Sequence, residues 1–137
     1  LAKEMGLPVI LHTRKAEEEC FKIVKEQRIE KAVFHSFTGG LTLAKEIIDS
    51  GHFISISTNL MNSKNTKKIA QKFPLDKLFT ETDAPFLSPY PGKVNVPQNV
   101  EFTLQRMSEL RKANMEDIDR EIAKNVKKTF NVGEAQI

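Results

Sequence analysis

The chain carries a single cysteine, Cys20. An internal disulfide is therefore excluded, and a reducing, cytoplasmic setting is expected. Cys20 falls on the apolar phase of a helical stretch, where a thiol is a buried structural residue rather than a nucleophile. Long apolar runs are also absent: none approaches the roughly 20 residues a membrane-spanning helix needs, so no membrane partner is expected. The opening Leu1-Ala2-Lys3-Glu4-Met5-Gly6-Leu7-Pro8 has no initiating methionine. Leu1, Ala2 and Met5 share one helical face, Gly6 suits the position just past a helix end, and Pro8 stops the helix. This reads as the last turn of a helix that begins upstream, so the chain is expected to be a fragment or a cleavage product.

Charge is present in both signs. Of 21 basic residues, 16 are lysines spread along the chain, and the net charge is +3. That distribution describes an ordinary solvated surface and does not by itself imply nucleic acid. With 39% hydrophobic and 28% charged residues in 137 positions, a single globular domain over 1–137 is expected.

The organising stretch is Leu78-Phe79-Thr80-Glu81-Thr82-Asp83-Ala84-Pro85, a short apolar strand that stops at a carboxylate. Two earlier stretches stop at histidine, Pro8-Val9-Ile10-Leu11-His12 and Lys31-Ala32-Val33-Phe34-His35. With Phe53 to Ser57 they predict four strands whose ends fall near residues 12, 35, 57 and 83. Amphipathic helices are expected between and after them. Ala16 to Gln27 would bury Ala16, Cys20, Ile23 and Val24, and the helix opening at Leu41 would bury Ala44, Ile47 and Ile48. Ser63 to Lys72 would bury Ile69, Ala70 and Phe73, and Pro97 to Lys112 would bury Val100, Leu104 and Met107. Met115 to Phe130 would bury Ile118, Ile122, Val126 and Phe130, with Asn114 as its cap. A repeat of roughly two dozen residues is one strand-plus-helix unit, and four units are half of an eight-stranded barrel. The expected fold class is α/β, four parallel strands with helices, the carboxyl-terminal half of a TIM barrel. An open four-stranded sheet is the structural alternative.

In a parallel barrel the carboxyl ends of the strands share one rim, which would bring His12, His35 and Asp83 together. Imidazole and carboxylate are the ligand set of a catalytic divalent metal. Alternatively, each histidine is a satisfied core residue and Asp83 a turn carboxylate. His52 begins a strand and is set aside. Glu81 lies two residues before Asp83 and points the same way, one layer deeper. It either orients a ligand from behind or pairs with a lysine or arginine. Arg14 either grips a phosphate or is a solvated loop residue. The loop from Ala84 to Val96 is long enough to be functional, and its Lys93 and Asn95 are candidate substrate contacts.

The segments Pro8-Val9-Ile10-Leu11-His12-Thr13-Arg14, Val33-Phe34-His35-Ser36-Phe37-Thr38-Gly39 and Glu81-Thr82-Asp83-Ala84-Pro85-Phe86-Leu87 resemble the last three sequence blocks of the TatD family. The resemblance spans the chain in order and spacing. It implies a TIM barrel with two divalent metal ions (Zn, Mg or Mn) that hydrolyses phosphodiester bonds of DNA. By that resemblance His12 and His35 would bind one metal, while Asp83 would bind the other and help activate the attacking water. The family's His-x-His pair on its first strand and bridging glutamate on its fourth have no counterpart here. Its Asn-Glu-Pro in the long loop reads Asn95-Val96-Pro97. The chain alone is therefore expected to be inactive. Two rival readings remain. One is a non-catalytic half-barrel associating through open edges with its other half or a second copy. The other is a barrel hydrolase of a small ester or amide.

Overall fold

The structure, a computed structural model, describes residues 1–132. Four parallel strands, β1 (Val9–His12), β2 (Ala32–His35), β3 (Phe53–Ile56) and β4 (Leu78–Thr80), lie side by side in chain order. Helices α1 (Glu17–Glu26), α2 (Leu41–Asp49) and α3 (Lys64–Lys72) form the crossovers, and α4 (Val100–Arg111) and α5 (Met115–Phe130) follow β4. A doubly wound sheet would reverse its strand order at a switch point. Strictly sequential order means that every crossover steps the same way, as around a barrel. The fold is thus α/β, with four of the eight strand-helix units of a TIM barrel.

The sheet has two chemically distinct faces because side chains alternate along each strand. Ala32, Phe34, Ile54, Ile56 and Leu78 point to the crossover helices and are fully buried. They meet Ile47 of α2, Ile69 of α3, Met107 of α4 and Ile118 of α5, and removal of each such side chain from water is worth about 1.5–3 kcal/mol. The opposite face begins with an apolar layer, Val33, Phe53 and Phe79. Above it the layer turns polar with His35, Ser55 and Glu81, which hydrogen bond to one another.

Helix boundaries follow local chemistry. Ser63 caps α3 by accepting from the Thr66 N–H at 3.2 Å, and Asn114 caps α5 by accepting from the Glu116 N–H at 2.7 Å. Pro97–Asn99 form a 3₁₀ turn, so α4 starts at Val100 rather than at the proline. Strand β4 ends at Thr80, although the Glu81 N–H still donates to the Ile56 carbonyl at 3.0 Å.

Three packing expectations need correction. In α1 the buried residues are Phe21 and Val24, while Ile23 is 51% exposed. The helix is turned so that the Phe21 ring meets the edge of Phe34, with centroids 6.0 Å apart. In α4, Thr103 joins Leu104 and Met107 in the core, and Val100 is only partly buried. In α5, Ile118 and Ile122 enter the main core, but Val126 and Phe130 pack on the far side of the sheet against Val33, Phe53 and Phe79. Between them Asn125 is buried, donating to the Leu75 and Leu78 carbonyls at 2.7 and 2.8 Å.

Candidate metal centre

The β1–β2 register pairs His12 with His35 directly, and their ring centroids are 5.5 Å apart. Both end their strands on the face away from the crossover helices. His35 is the better embedded of the two. Its Nε2 lies 3.0 Å from Asp83 Oδ1 and its Nδ1 lies 2.5 Å from Glu81 Oε2. His35, Glu81 and Asp83 form a cluster whose ligand-type atoms all lie within 4.8 Å of one another. His12 is outside that tight cluster and more exposed, but it lines the same cavity.

Glu81 is held from three sides. Its Oε1 accepts from the Ser36 N–H at 2.7 Å and from the Ser55 hydroxyl, while Oε2 faces His35. Ser36 has φ +45°, a left-handed conformation that turns its N–H inward, and its hydroxyl meets that of Ser57 at 2.7 Å. Asp83 is also left-handed, with φ +60°. Two side-chain donors restrain the peptide before it, as the Thr82 carbonyl accepts from Asn95 Nδ2 at 2.7 Å and from the Thr58 hydroxyl at 3.0 Å. Backbone strain of this kind persists only where surrounding bonds over-determine it.

A cavity of about 700 Å³ opens above the cluster, lined by His12, Arg14, Glu17, His35, Asp83 and Phe86 among others. A divalent cation fits this donor set. A neutral imidazole that donates from Nδ1 to Glu81 turns its Nε2 lone pair towards the Asp83 carboxylate, and two such groups at 3.0 Å call for a positive centre.

The other residues singled out from sequence are placed as follows. Arg14 is exposed and lines the cavity. Lys93 is exposed, with Nζ 5.9 Å from the Tyr90 ring centroid, away from the cavity. Asn95 is only 2% exposed and faces inward rather than towards a substrate. Its Nδ2 donates to the Thr82 and Phe86 carbonyls at 2.7 and 2.6 Å, and its Oδ1 accepts from Asn99 Nδ2 at 2.7 Å. His52 is buried at the opposite end of β3. Burial foremost, then the Lys77 charge, pushes its pKa below the ordinary histidine value. The serines at 36, 55 and 57 were not singled out from sequence. The available signal was the alternation Phe53-Ile54-Ser55-Ile56-Ser57, which places two hydroxyls in line on an otherwise apolar strand.

Comparison with known proteins gives a consistent result. The family described as "TatD related DNase" matches residues 1–131. An uncharacterized metal-dependent hydrolase of Methanocaldococcus jannaschii is 38% identical over 130 residues, covering 95% of this chain and 51% of that protein. The human protein named deoxyribonuclease TATDN3 is 30% identical over 130 residues, covering 95% of this chain and 47% of its own length. Among solved structures, the TatD homolog YJJV of Escherichia coli superimposes with a TM-score of 0.88 at 28% identity, covering 96% of this chain and 53% of that one. The chain spans about half the length of the curated relatives it matches.

Proposed function

The chain belongs to the TatD related DNase family of metal-dependent hydrolases, and on that premise we propose that residues 1–137 form one domain, the carboxyl-terminal half of a barrel that hydrolyses DNA phosphodiester bonds. The observation that carries this reading is the convergence of His35 Nε2 and Asp83 Oδ1 at 3.0 Å beneath the open cavity. His12, His35 and Asp83 would hold divalent metal ions, two in a complete site, with Zn, Mg and Mn all compatible with this donor set. A cation held there would polarise a phosphoryl oxygen and acidify a water.

The remaining roles belong to the chain itself. Asp83 takes the proton of the attacking water or orients it, since its second carboxylate oxygen is left for that task. Arg14, across the cavity from Asp83, offers a planar pair of donors to a phosphate. DNA as substrate draws support from the name of the human relative and from the cavity's arginine.

A second reading draws support from the edges of the sheet. Among the described residues β1 and β4 each pair on one side only, and Ile10, on the same face as His12, is 62% exposed. Such edges suit association with a complementary half or a second copy.

The test is divalent-metal-dependent cleavage of a DNA oligonucleotide, run beside a small phosphodiester, an ester and an amide, on the isolated chain and on the longest form from its source. Cleavage of DNA that is lost in His35→Ala and Asp83→Asn supports the proposal. Cleavage of the ester or amide alone sinks it. Sedimentation of the isolated chain separates a monomer from a self-associated half-barrel.

A further inference from the structure

The contacts of His35 go beyond placing a ligand near Asp83, because they fix which ring nitrogen carries the proton. An ionised carboxylate has acceptors only. Glu81 Oε2 faces Nδ1 at 2.5 Å, so that nitrogen must bear hydrogen. In the neutral ring the lone pair then falls on Nε2, the atom turned to Asp83 and the cavity. Glu81 itself cannot rotate to accept differently, since its other oxygen is engaged by the Ser36 N–H and the Ser55 hydroxyl. These donors come from the end of β2 and from β3, so three neighbouring strands converge on one carboxylate. The same geometry argues against Glu81 as a ligand. Directions from Nδ1 and Nε2 diverge across the ring, and a cation on the Nε2 side lies away from a carboxylate bonded at Nδ1.

We propose that Glu81 is a positioning residue that sets the tautomer of His35, keeping the Nε2 lone pair aimed at Asp83. The inference rests on the reading of His35 as a metal ligand only for its consequence, metal affinity. The tautomer is a property of this chain alone.

The informative substitution is Glu81→Gln, which keeps the shape and replaces one acceptor oxygen with a donor. The Ser36 N–H requires the remaining oxygen on its side, so the new amide nitrogen faces Nδ1. Nδ1 then has to accept, the proton moves to Nε2, and the lone pair leaves the Asp83 side. With only three histidines in the chain, nitrogen-15 labelling of histidine resolves each ring. At about pH 9, well above the ordinary histidine range, the native chain should show His35 protonated on Nδ1 and E81Q should show it on Nε2. A Zn²⁺ titration should then give an affinity about 10- to 100-fold lower in E81Q. Should E81Q lose the native circular dichroism spectrum, Glu81→Ala carries the test, with both tautomers expected in place of one.

The same tautomer in the native chain and in the folded variant overturns the proposal, whatever Zn²⁺ does. A changed tautomer with unchanged Zn²⁺ affinity upholds it and instead removes His35 from the metal ligands. A changed tautomer with weakened Zn²⁺ binding upholds both.

Discussion

Replacing Asn95 tests whether the long loop after Asp83 is organised from within or by its substrate. Asn95 is 2% exposed, and its amide nitrogen donates to two carbonyls, Thr82 at 2.7 Å and Phe86 at 2.6 Å. Its oxygen accepts from the Val96 N–H at 3.0 Å and from Asn99 at 2.7 Å. In Asn95→Ala the Thr82 carbonyl keeps the Thr58 hydroxyl, while the partners at the exposed Phe86 and Val96 can turn to water. The loss is thus smaller than four unsatisfied groups and amounts to about 2–3 kcal/mol. At about 4 °C per kcal/mol for a domain of this size, the thermal midpoint should fall by about 8–12 °C. Asn95→Asp, though isosteric, should cost more than alanine, because it sets a buried carboxylate against the Thr82 and Phe86 carbonyls. Urea unfolding ranks the three chains, and limited proteolysis should show faster cleavage between residues 86 and 94 in both variants. An aspartate variant as stable as the native chain would refute the reasoning. So would an alanine variant that keeps its stability and only weakens substrate binding, since that is the behaviour of a substrate contact.

Two further outcomes follow from buried groups. His52 has a pKa below its ordinary value near 6.5, because burial and Lys77 disfavour its charged form. The unfolded chain therefore takes up its proton first as pH falls below about 6.5, so this residue's contribution to stability is intact above that value and declines below it. Urea midpoints measured from about pH 7.5 down to 5.5 should fall less steeply in His52→Gln than in the native chain; equal slopes would exclude the effect. At Gly39, an added Cβ would lie 2.6 Å from Cζ of Phe37, a ring 1% exposed and packed edge-on against Phe34. Gly39→Ala should cost about 1–3 kcal/mol. Gly40→Ser, with nothing within 4 Å of its Cβ, should be neutral or stabilising as a cap for α2, by the same urea assay.

The regular spacing of strand ends made the four-strand architecture readable, because each unit must cross the sheet and return before the next ligand position is reached. His12, His35, Asp83 and Glu81 were legible for the same reason, since strand termini and period-two alternation fix level and face without knowledge of contacts. Side-chain competition was not legible. Periodicity alone favoured Ile23 on α1, but the larger Phe21 found the Phe34 ring and took the buried place. Asn95 and Lys93 looked equivalent as polar residues in an irregular loop. Only the turn of the chain decided that one fills its interior and the other lies outside the cavity. The polar layer at Ser36 and Ser55 depends on pairings between strands, and a single chain of letters does not state them.

The direct pairing of His12 with His35 across β1 and β2 also bears on how this gene can change length. A deletion or insertion of one codon inside either strand rotates every following side chain by half a turn and sends one histidine into the helix-packed layer. The same length change in the turn around Arg28–Glu30, at the far end of the strands, leaves the pairing in phase. Natural length variation between α1 and β2 should therefore gather in that turn, with the strands behaving as frames of fixed length.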